Sequence, residues 1–302
     1  MAPPSAPRVL VVGDVIADVI VRPDGPLVRG TDRQAEIELR PGGSGANTAA
    51  WLGYLGAHVR FAGRVGAADA DAIAAELAVH AVDARLGADP DHQTGRIVAI
   101  VDTDGERSFF TDRGANTHLA ALDLAPELLD GTTHLHVSGY SLFEPGPRAA
   151  VLELAERATE RGISVSVDPS SAAFLREVGP AAFLEWTSEW SLCVANADEA
   201  AVLTSRSEPD EALGALVERY ESVVMKLGAD GALAQTRSGE RSRHPSEATD
   251  VVDTTGAGDA AAAGFLRARL GSAPLDEALR AAMSAAAVAV ATLGGRPPAS
   301  GA

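Results

Sequence analysis

The alternation of short apolar runs with longer helical stretches from residue 131 onward is the feature that most constrains the fold of this chain. THLHVSG, ISVSVDPS and SLCVAN have the length and the apolar content of buried strands, and PGPRAAVLELAERATERG between the first two has the length of a helix. Strands that alternate with helices in this way pair as a parallel sheet with helices on its faces. The sequence therefore predicts an α/β fold with a parallel or mostly parallel sheet between helices.

The N-terminal part of the chain contains β-type patterns without helices between them. RVLVVGDV predicts a buried parallel strand, whereas ADVIVRP and QAEIELRP have the partial alternation of half-exposed strands. A later segment, GRIVAIVDTDGERSFFTDRGAN, has two apolar runs around an Asp-Gly turn, as a hairpin has. We expect these runs to form a small β-sheet lid, at about 16–40 and 94–114, on one main domain of residues 8–296 between flexible tails at 1–7 and 297–302.

Composition excludes several classes of protein. The 302 residues carry a formal net charge of −17, which disfavours a non-specific surface for nucleic acid or anionic membranes. The single cysteine, Cys193, excludes a disulfide within the chain and a Cys-based zinc site, and its apolar run predicts a core position. No apolar run reaches the roughly 18 residues of a membrane span. We therefore expect a cytoplasmic protein with no nucleic-acid or membrane partner.

Two polar groups of the N-terminal half are candidates for substrate binding. The Gly-rich turn GGSGAN, which contains Gly43, leads into a helix and ends in Asn47, whose amide can donate to and accept from sugar hydroxyls. Asp14 and Asp18 follow the first strand, and ligands of open α/β sheets bind beyond the carboxyl ends of strands. A carboxylate there can accept a pair of hydroxyl hydrogens, although a solvated surface position is the simpler alternative.

The stretch VVDTTGAGDAA carries the strongest chemical signal. GAGDAA matches the dinucleotide-binding pattern G-x-G-x-x-[GA], but it lies near the C-terminus and places an acid where a pyrophosphate would sit. A Walker-type phosphate loop is absent from the sequence. In a third interpretation, the amides of Gly256, Ala257 and Gly258 bind anionic oxygens at a helix N-terminus. Asp259 then acts as the general base toward an acceptor hydroxyl.

Three motifs occur in one order along the chain: GGSGAN at 42–47, NADE at 196–199 and DTTGAGD at 253–259. Together they resemble the two signatures and the N-x-x-E motif of the ribokinase-like (PfkB) carbohydrate kinase family, over about residues 8–296. The resemblance implies a doubly wound α/β sheet with a β-lid that often serves dimerisation, so we expect a homodimer through the lid. It also implies phosphoryl transfer from ATP, with Mg²⁺, to a sugar-type hydroxyl.

The resemblance assigns roles to individual residues. Asp259 matches the catalytic base, and Gly256, Ala257 and Gly258 match the anion hole. Sugar-contacting positions correspond to Asp18, Gly43 and Asn47. Positions that organise Mg²⁺, phosphates or ATP correspond to Asn196, Glu199, Lys226, Gly228 and Gly231, and the apolar wall around adenine corresponds to Met283 and Ala286. A monovalent-cation site, which would make K⁺ an activator, corresponds to Asp253, Thr255, Ala289, Thr292 and Gly294.

The acceptor substrate is less legible in the sequence. Ser44 and Ile16 depart from the residues common in ribokinases and weaken a strict D-ribose assignment. Arg113, where the lid returns to the main domain, could bind a carboxylate or phosphate on the substrate. Tyr140, at a predicted strand end, could stack on a sugar or a nucleobase. Asp168 follows another strand, near the expected phosphate region, or forms a turn before a proline.

The sequence thus predicts an ATP-dependent sugar kinase with a ribose-, fructose- or 2-keto-3-deoxygluconate-like acceptor. A nucleoside kinase of the same family is an alternative, as is a non-catalytic sugar or nucleotide sensor on the same fold. A dinucleotide-dependent oxidoreductase built on GAGDAA is a third possibility from another class. His134 and His136 alternate along one predicted strand, and packing of the two rings is expected there rather than a metal pair.

Overall fold

A computed structural model describes residues 7–26, 29–101 and 107–298. Of the predicted tails, residues 1–6 and 299–302 lie outside this description. No helix in the described part of the chain is long and apolar enough to cross a bilayer.

The described residues form two sheets and nine α-helices. The strands are β1 (Arg8–Val12), β2 (Ile16–Pro23), β3 (Ala35–Gly42), β4 (His58–Gly66), β5 (Val82–Asp89), β6 (Gly95–Val101), β7 (Arg107–Asp112), β8 (His134–Ser138), β9 (Ser164–Asp168), β10 (Leu192–Asn196), β11 (Ser222–Lys226), β12 (Ala232–Thr236) and β13 (Arg241–His244). The helices are α1 (Ser44–Tyr54), α2 (Ala70–Val79), α3 (Pro145–Glu160), α4 (Ala172–Val178), α5 (Pro180–Trp186), α6 (Ala197–Thr204), α7 (Pro209–Val217), α8 (Ala257–Leu270) and α9 (Leu275–Val290). Short 3-10 turns connect several of them.

The larger sheet has nine strands in the order β13-β12-β11-β10-β9-β8-β1-β4-β5. Neighbours are parallel from β11 through β5, whereas β12 and β13 pair antiparallel at one edge. Two clusters of buried apolar side chains pack the helices onto the sheet, and Cys193 is fully buried in one of them. The mostly parallel α/β sheet predicted from the sequence is confirmed.

The Ala-rich helices α8 and α9 pack closely together because their contact is made by small residues. A Cβ placed on Gly264 of α8 would lie 2.5 Å from the carbonyl oxygen of Ala281 on α9. That approach fixes α8 against the second apolar cluster. The N-terminus of α8 therefore has a defined position at the carboxyl edge of the larger sheet.

The smaller sheet has the order β3-β2-β6-β7 and forms the predicted lid. β2 pairs antiparallel with β3 and parallel with β6, and β6 pairs antiparallel with β7. The early strands and the later hairpin thus meet as the sequence predicted, although the hairpin turn at 102–106 lies outside the described residues. Because the chain enters this sheet directly after β1 and leaves it at α1, the lid lies next to the carboxyl ends of the central strands.

Candidate active site

A cavity of about 550 Å³ lies between the lid and the carboxyl edge of the larger sheet. Its base is polar, with Asp14, Asp18, Asn47 and Asp259, and the lid contributes apolar side chains such as Ile97. The cavity brings together the following predicted site residues: Asp14, Asp18, Gly43, Asn47, Arg113, Tyr140, Asp253, Thr255, Gly256, Gly294 and Asp259. Motifs from both ends of the chain therefore meet around one space.

Asp259 lies in the first turn of α8 and is held by two donors from α1. The Ser44 hydroxyl donates to Oδ1 at 2.7 Å, and the Asn47 amide Nδ2 donates to Oδ2 at 2.8 Å. Burial raises the pKa of Asp259 to about 7, even though both hydrogen bonds and Lys226 lower it. Asp168 adds to the increase in this pKa. A carboxyl group with a pKa near neutrality can take up and release a proton at physiological pH.

The turn before α8 requires glycine at its first position. Gly256 has φ of 75°, in the left-handed region, and a Cβ there would lie 2.6 Å from Cα of Gly295. Ala257 and Gly258 begin the helix, whose N-terminal amides favour anions.

A cation lies beside this turn. A Cβ built on Gly258 would lie 3.4 Å from the Lys226 ammonium, so the positive charge at the end of β11 is adjacent to the α8 N-terminus. Lys226 is paired with Asp168 at 2.5 Å. Burial lowers the pKa of the Lys226 ammonium, but Asp168 and the other nearby carboxylates raise it by more, so the net change in this pKa is upward. The two oppositely charged side chains lie at the ends of β9 and β11. The α8 N-terminus and Lys226 together form an environment suited to phosphate.

Asp14 is engaged mainly with the protein itself. Its Oδ1 accepts from the Gly45 amide at 3.1 Å and from the Ser138 hydroxyl at 3.0 Å, and its Oδ2 accepts from the Ser44 amide at 3.2 Å. Gly43 lies against the same loop, since a Cβ there would be 2.5 Å from the Asp14 carbonyl oxygen. Asp14 therefore fixes the start of α1, and a direct contact with substrate stays a prediction.

Asp18 lines the cavity from β2 and has a raised pKa of about 6. Burial is the largest cause, followed by the opposing charge of Arg296 and by the like charges of Asp14 and Asp253. Near neutral pH the Asp18 carboxylate is mostly ionised. It can therefore accept hydrogen bonds from two hydroxyl groups of an acceptor substrate.

Arg113 and Tyr140 form one unit at the side of the cavity. Arg113 Nη2 donates to the Tyr140 carbonyl oxygen at 2.7 Å, and its guanidinium carbon lies 5.3 Å from the Tyr140 ring centroid and 5.8 Å from that of Phe174. The Nη1 atom of Arg113 is buried and has no hydrogen-bond partner among the described residues. Burial raises the pKa of the Tyr140 hydroxyl, which is therefore neutral. The arginine covers one side of the tyrosine ring that was predicted to stack on a ligand.

Asn196 and Glu199 form a reciprocal cap at the start of α6. Asn196 Oδ1 accepts from the Glu199 amide, while the Glu199 carboxylate accepts from the Asn196 backbone and side-chain nitrogens, all at 2.8 Å. Burial raises the pKa of Glu199 to about 7, and Asp168 contributes while Lys226 opposes it. The N-x-x-E motif is thus a rigid helix start near the Asp168–Lys226 pair.

The remaining residues predicted to bind ATP lie outside the cavity. Gly228 and Gly231, with φ of 59° and 88°, form the turn between β11 and β12. Gly231 also allows the close approach of the His244 carbonyl oxygen. Met283 is buried in the core and Ala286 is half-buried beside it. Contacts of these residues with ATP stay predictions.

The segments predicted to bind a monovalent cation lie side by side. Asp253 Oδ1 accepts from the Thr255 amide at 3.0 Å and from its hydroxyl at 2.7 Å, and Oδ2 accepts from the Gly294 amide at 3.0 Å. The Ala289 carbonyl accepts from the Thr292 amide at 3.0 Å. The two loops are joined as the prediction requires, and cation binding itself stays a prediction.

Among the described residues, His134, His136 and the acidic side chains do not assemble a metal site made of protein ligands alone. His134 and His136 are buried and share the Ser166 hydroxyl, so they point to one face of the sheet as expected. Burial lowers the pKa of both imidazoles to about 3. In the described part of the chain no group of three or more His, Cys, Asp or Glu could hold a metal.

Three residues of the site are not predicted from the sequence. Ser44 departs from the residue common in ribokinases, and the structure shows that its hydroxyl donates to Asp259. Arg40 lines the cavity with its Nη1 atom 3.8 Å from Asp253 Oδ2. Arg296 is buried and donates to Asn47. A cationic residue inside GGRPP, a Gly- and Pro-rich loop, was the available signal for Arg296.

Comparison with known proteins supports the family resemblance that the sequence motifs indicate. A family model described as pfkB family carbohydrate kinase matches residues 6–300. The chain is 31% identical to an aminoimidazole riboside kinase from Salmonella typhimurium, over 86% of this chain and 80% of that protein. It is 31% identical to an ATP-dependent ribose-1-phosphate kinase from Halopiger xanaduensis, over 96% and 94%. The crystal structure of adenosine kinase from Sinorhizobium meliloti has a TM-score of 0.87 at 26% identity and covers 97% of each chain.

Proposed function

We propose a substrate class and a mechanism from one premise: the chain belongs to the pfkB family of carbohydrate kinases, and it is a phosphotransferase with a hydroxyl group as acceptor. The proposed reaction transfers the γ-phosphoryl group of MgATP to a hydroxyl of a small sugar or sugar derivative of the ribose, fructose or 2-keto-3-deoxygluconate type. The observation that carries this proposal is the Asp259 carboxylate, with a pKa near 7, between the cavity and the α8 N-terminus.

In the proposed mechanism the acceptor hydroxyl donates a hydrogen bond to Asp259. As the hydroxyl oxygen attacks the γ-phosphorus, its proton passes to the carboxylate, the bond to the ADP oxygen breaks, and the proton later leaves to solvent. The amides of Gly256 to Gly258 and the Lys226 ammonium stabilise the negative charge on the phosphoryl oxygens. Mg²⁺, when bound, would supply positive charge that offsets the negative charge of the phosphates. Asn196 and Glu199 would orient it through water.

The base of the cavity suits a polyhydroxylated acceptor. Asp18 can accept two hydroxyl hydrogens, and Asn47 holds Asp259 in place beside them. Arg113 adds a requirement, because a buried guanidinium N–H without a partner costs free energy until an acceptor fills its place. A carboxylate or phosphate on the substrate would supply that acceptor. Arg113 therefore supports a sugar acid or a phosphosugar within the proposed class.

A nucleoside acceptor is the second candidate. The lid lines the cavity with Ile97, Ala99 and Phe109, and such an apolar surface suits a base better than a free sugar. A non-catalytic sensor is disfavoured, because a sensor does not need a carboxyl group with a near-neutral pKa next to an anion site.

The lid also supports a proposed homodimer. We propose residues 8–296 as the kinase domain, with lid segments at about 16–40 and 94–114. Ile37 and Leu39 are 63% and 76% exposed and alternate on β3 with the cavity-lining Arg40, so they lie on the outer face of the lid. Such exposed apolar side chains on a sheet favour contact with a second copy. Light scattering on the wild type and on an Ile37→Lys, Leu39→Lys variant tests this proposal, which a monomeric wild type would contradict.

We also propose that K⁺ activates the enzyme and that the enzyme is located in the cytoplasm. The joined loops at Asp253 and Gly294 support a monovalent-cation site beneath the anion hole. The cytoplasm supplies ATP.

A coupled ADP-release screen tests the proposed function. It covers pentoses, hexoses, keto-deoxy acids, sugar phosphates and nucleosides, each with and without K⁺. The wild type is compared with Asp259→Asn and with Asp130→Asn, a matched change at a 3-10 turn far from the cavity lining. We expect ADP release with one substrate class for the wild type and Asp130→Asn, and none above background for Asp259→Asn. Background ADP from the wild type across the whole panel would contradict the proposal.

A further inference from the structure

Arg296 is a buried arginine that connects the C-terminal loop with two helices of the N-terminal half. Its side chain is 8% exposed. Nη1 donates to Asn47 Oδ1 at 2.5 Å, and Nε and Nη2 donate to the two carboxylate oxygens of Glu76 on α2 at 3.0 and 3.3 Å. Nη2 also reaches the Gly42 carbonyl oxygen at 3.4 Å. The guanidinium is thus fixed by α2 on one side and presented to α1 on the other.

The contact with Arg296 determines the orientation of the Asn47 amide. A guanidinium can only donate hydrogen bonds, so the amide atom that faces it must be the oxygen. The amide nitrogen then faces Asp259, to which it donates at 2.8 Å. A reversed amide would place its oxygen against the Asp259 carboxylate and its NH₂ against a cation. Arg296 therefore makes that reversal unfavourable at both ends.

We propose that Arg296 is a positioning residue for the catalytic base, held by Glu76 and acting through Asn47. This inference rests on the proposed function, in which Asp259 takes the proton of the acceptor hydroxyl. By keeping Asn47 Nδ2 on Asp259, Arg296 holds the carboxylate beside the anion hole and favours its ionised form. The chain Glu76–Arg296–Asn47–Asp259 links α2, the C-terminal loop, α1 and α8.

Four side chains from three elements act on the Asp259 carboxylate. Ser44 and Asn47 on α1 donate to it, Asp168 at the end of β9 repels its negative charge, and Lys226 at the end of β11 attracts it. Replacement of Arg296 leaves Ser44, Asp168 and Lys226 in place. The effect on Asp259 should therefore arise through Asn47, whereas Arg296 acts directly on the Asp18 carboxylate and so affects acceptor binding.

The decisive measurement is kcat at saturating acceptor and MgATP, against pH from 5 to 9.5, for the wild type, Arg296→Met and Arg296→Lys, with the acceptor that gives the highest wild-type activity. The value of kcat reports the enzyme–substrate complex and leaves out acceptor binding through Asp18, whose pKa Arg296 lowers directly. Loss of one hydrogen bond to the carboxylate should move the acidic midpoint of Arg296→Met upward by about one pH unit. That shift lowers kcat by about fivefold at pH 7 and leaves it within about twofold of the wild type at pH 9.5. Arg296→Lys, which keeps one donor, should shift the midpoint less.

The Asn47→Ala variant, which lacks the side-chain amide, distinguishes a positioning role of Arg296 from a general loss of structure. In Asn47→Ala the further change Arg296→Met should leave the midpoint unchanged, because the connecting group is already absent. Arg157→Met, which removes an exposed pair with Glu153 on α3, is the control and should match the wild type. Thermal unfolding shows whether Arg296→Met folds. If it does not, Glu76→Gln and Arg296→Lys replace it, and each should move the acidic midpoint of the pH profile upward.

The outcomes distinguish this inference from the function on which it rests. An unchanged midpoint with a uniform loss at all pH values would overturn the positioning role of Arg296 while Asp259→Asn still abolished turnover. An equal shift in the Asn47→Ala background would also overturn it, since Arg296 would then act without the amide. A wild type without kinase activity would refute the proposed function itself.

Discussion

Replacement of Asp259 by asparagine should lower activity and raise stability at the same time. The two side chains have nearly the same shape, and the Ser44 hydroxyl can rotate to accept from the new amide while Asn47 still donates to its oxygen. The site can therefore keep its hydrogen bonds without the base. Turnover should fall by roughly two to four orders of magnitude, the usual contribution of a general base.

The expected gain in stability follows from the pKa of Asp259 in the folded chain. Burial raises this pKa from 3.8 to about 7, so folding favours the protonated carboxyl. The stabilising contribution is fully present below pH 3.8 and is lost as the pH rises through 7. The shift corresponds to at most about 4 kcal/mol, and we take about 2 kcal/mol because the side chain is only half-buried.

Two assays on the same preparations test both effects. ADP release at saturating ATP reports turnover, and thermal unfolding at pH 5 and pH 8 reports stability. Asp259→Asn should raise the melting temperature by about 3–6 °C at pH 8 and by much less at pH 5. Near-normal turnover of a folded variant would refute the role of Asp259 as base. A melting temperature that is equally changed at both pH values would refute the argument from its pKa.

Three further substitutions test neighbouring parts of the site. Gly256→Ala forces a side chain into the left-handed region and against Gly295, so chemical denaturation should show a loss of roughly 1–3 kcal/mol; an unchanged midpoint would contradict the close approach. Ser44→Ala removes one donor to the catalytic carboxyl and should move the acidic limb of the pH–rate profile upward by up to about one unit, whereas a downward shift would contradict the hydrogen bond. Lys226→Met leaves Asp168 buried without its cation and should cost about 3–5 kcal/mol of stability and raise the KM for ATP; Lys226→Arg is the matched control, and an unaltered KM would exclude a phosphate contact.

Local signals account for the parts of the fold that the sequence predicted. The apolar runs of β8, β9 and β10 carry their strand pattern within five residues, and the Ala-rich composition of α8 marks it as a helix. No such signal is present in β5, whose VDARLGAD alternates weakly, or in the edge strand β13. These two strands are stabilised by pairing with neighbours that are themselves strands, so their structure depends on tertiary contacts.

The sequence predicted those parts of the site that lie within one contiguous motif. Asp259 and Gly256 belong to the same motif, DTTGAGD, and the backbone geometry of that turn determines where their groups lie. Arg296 and Asn47, in contrast, are 249 positions apart. Their contact depends on how the C-terminal loop packs against α1, which no local pattern encodes. The sequence predicts Arg113 near the substrate region, but its contact with the Tyr140 and Phe174 rings could be found only in the folded chain.

The charge balance of the cavity explains why an acidic chain can present ionised carboxylates to a hydroxyl substrate. Asp14 and Asp253 raise the pKa of Asp18, whereas Arg296 and Arg40 lower it. Without the two arginines, burial and like charges would favour the protonated form, and a protonated carboxyl group accepts hydroxyl hydrogens less well. Because Arg296 also orients the amide that contacts Asp259, in the proposed mechanism this one buried cation would support both the binding of the acceptor and the removal of its proton. The acceptor side and the catalytic side of the site are therefore electrostatically coupled through a residue outside every sequence motif.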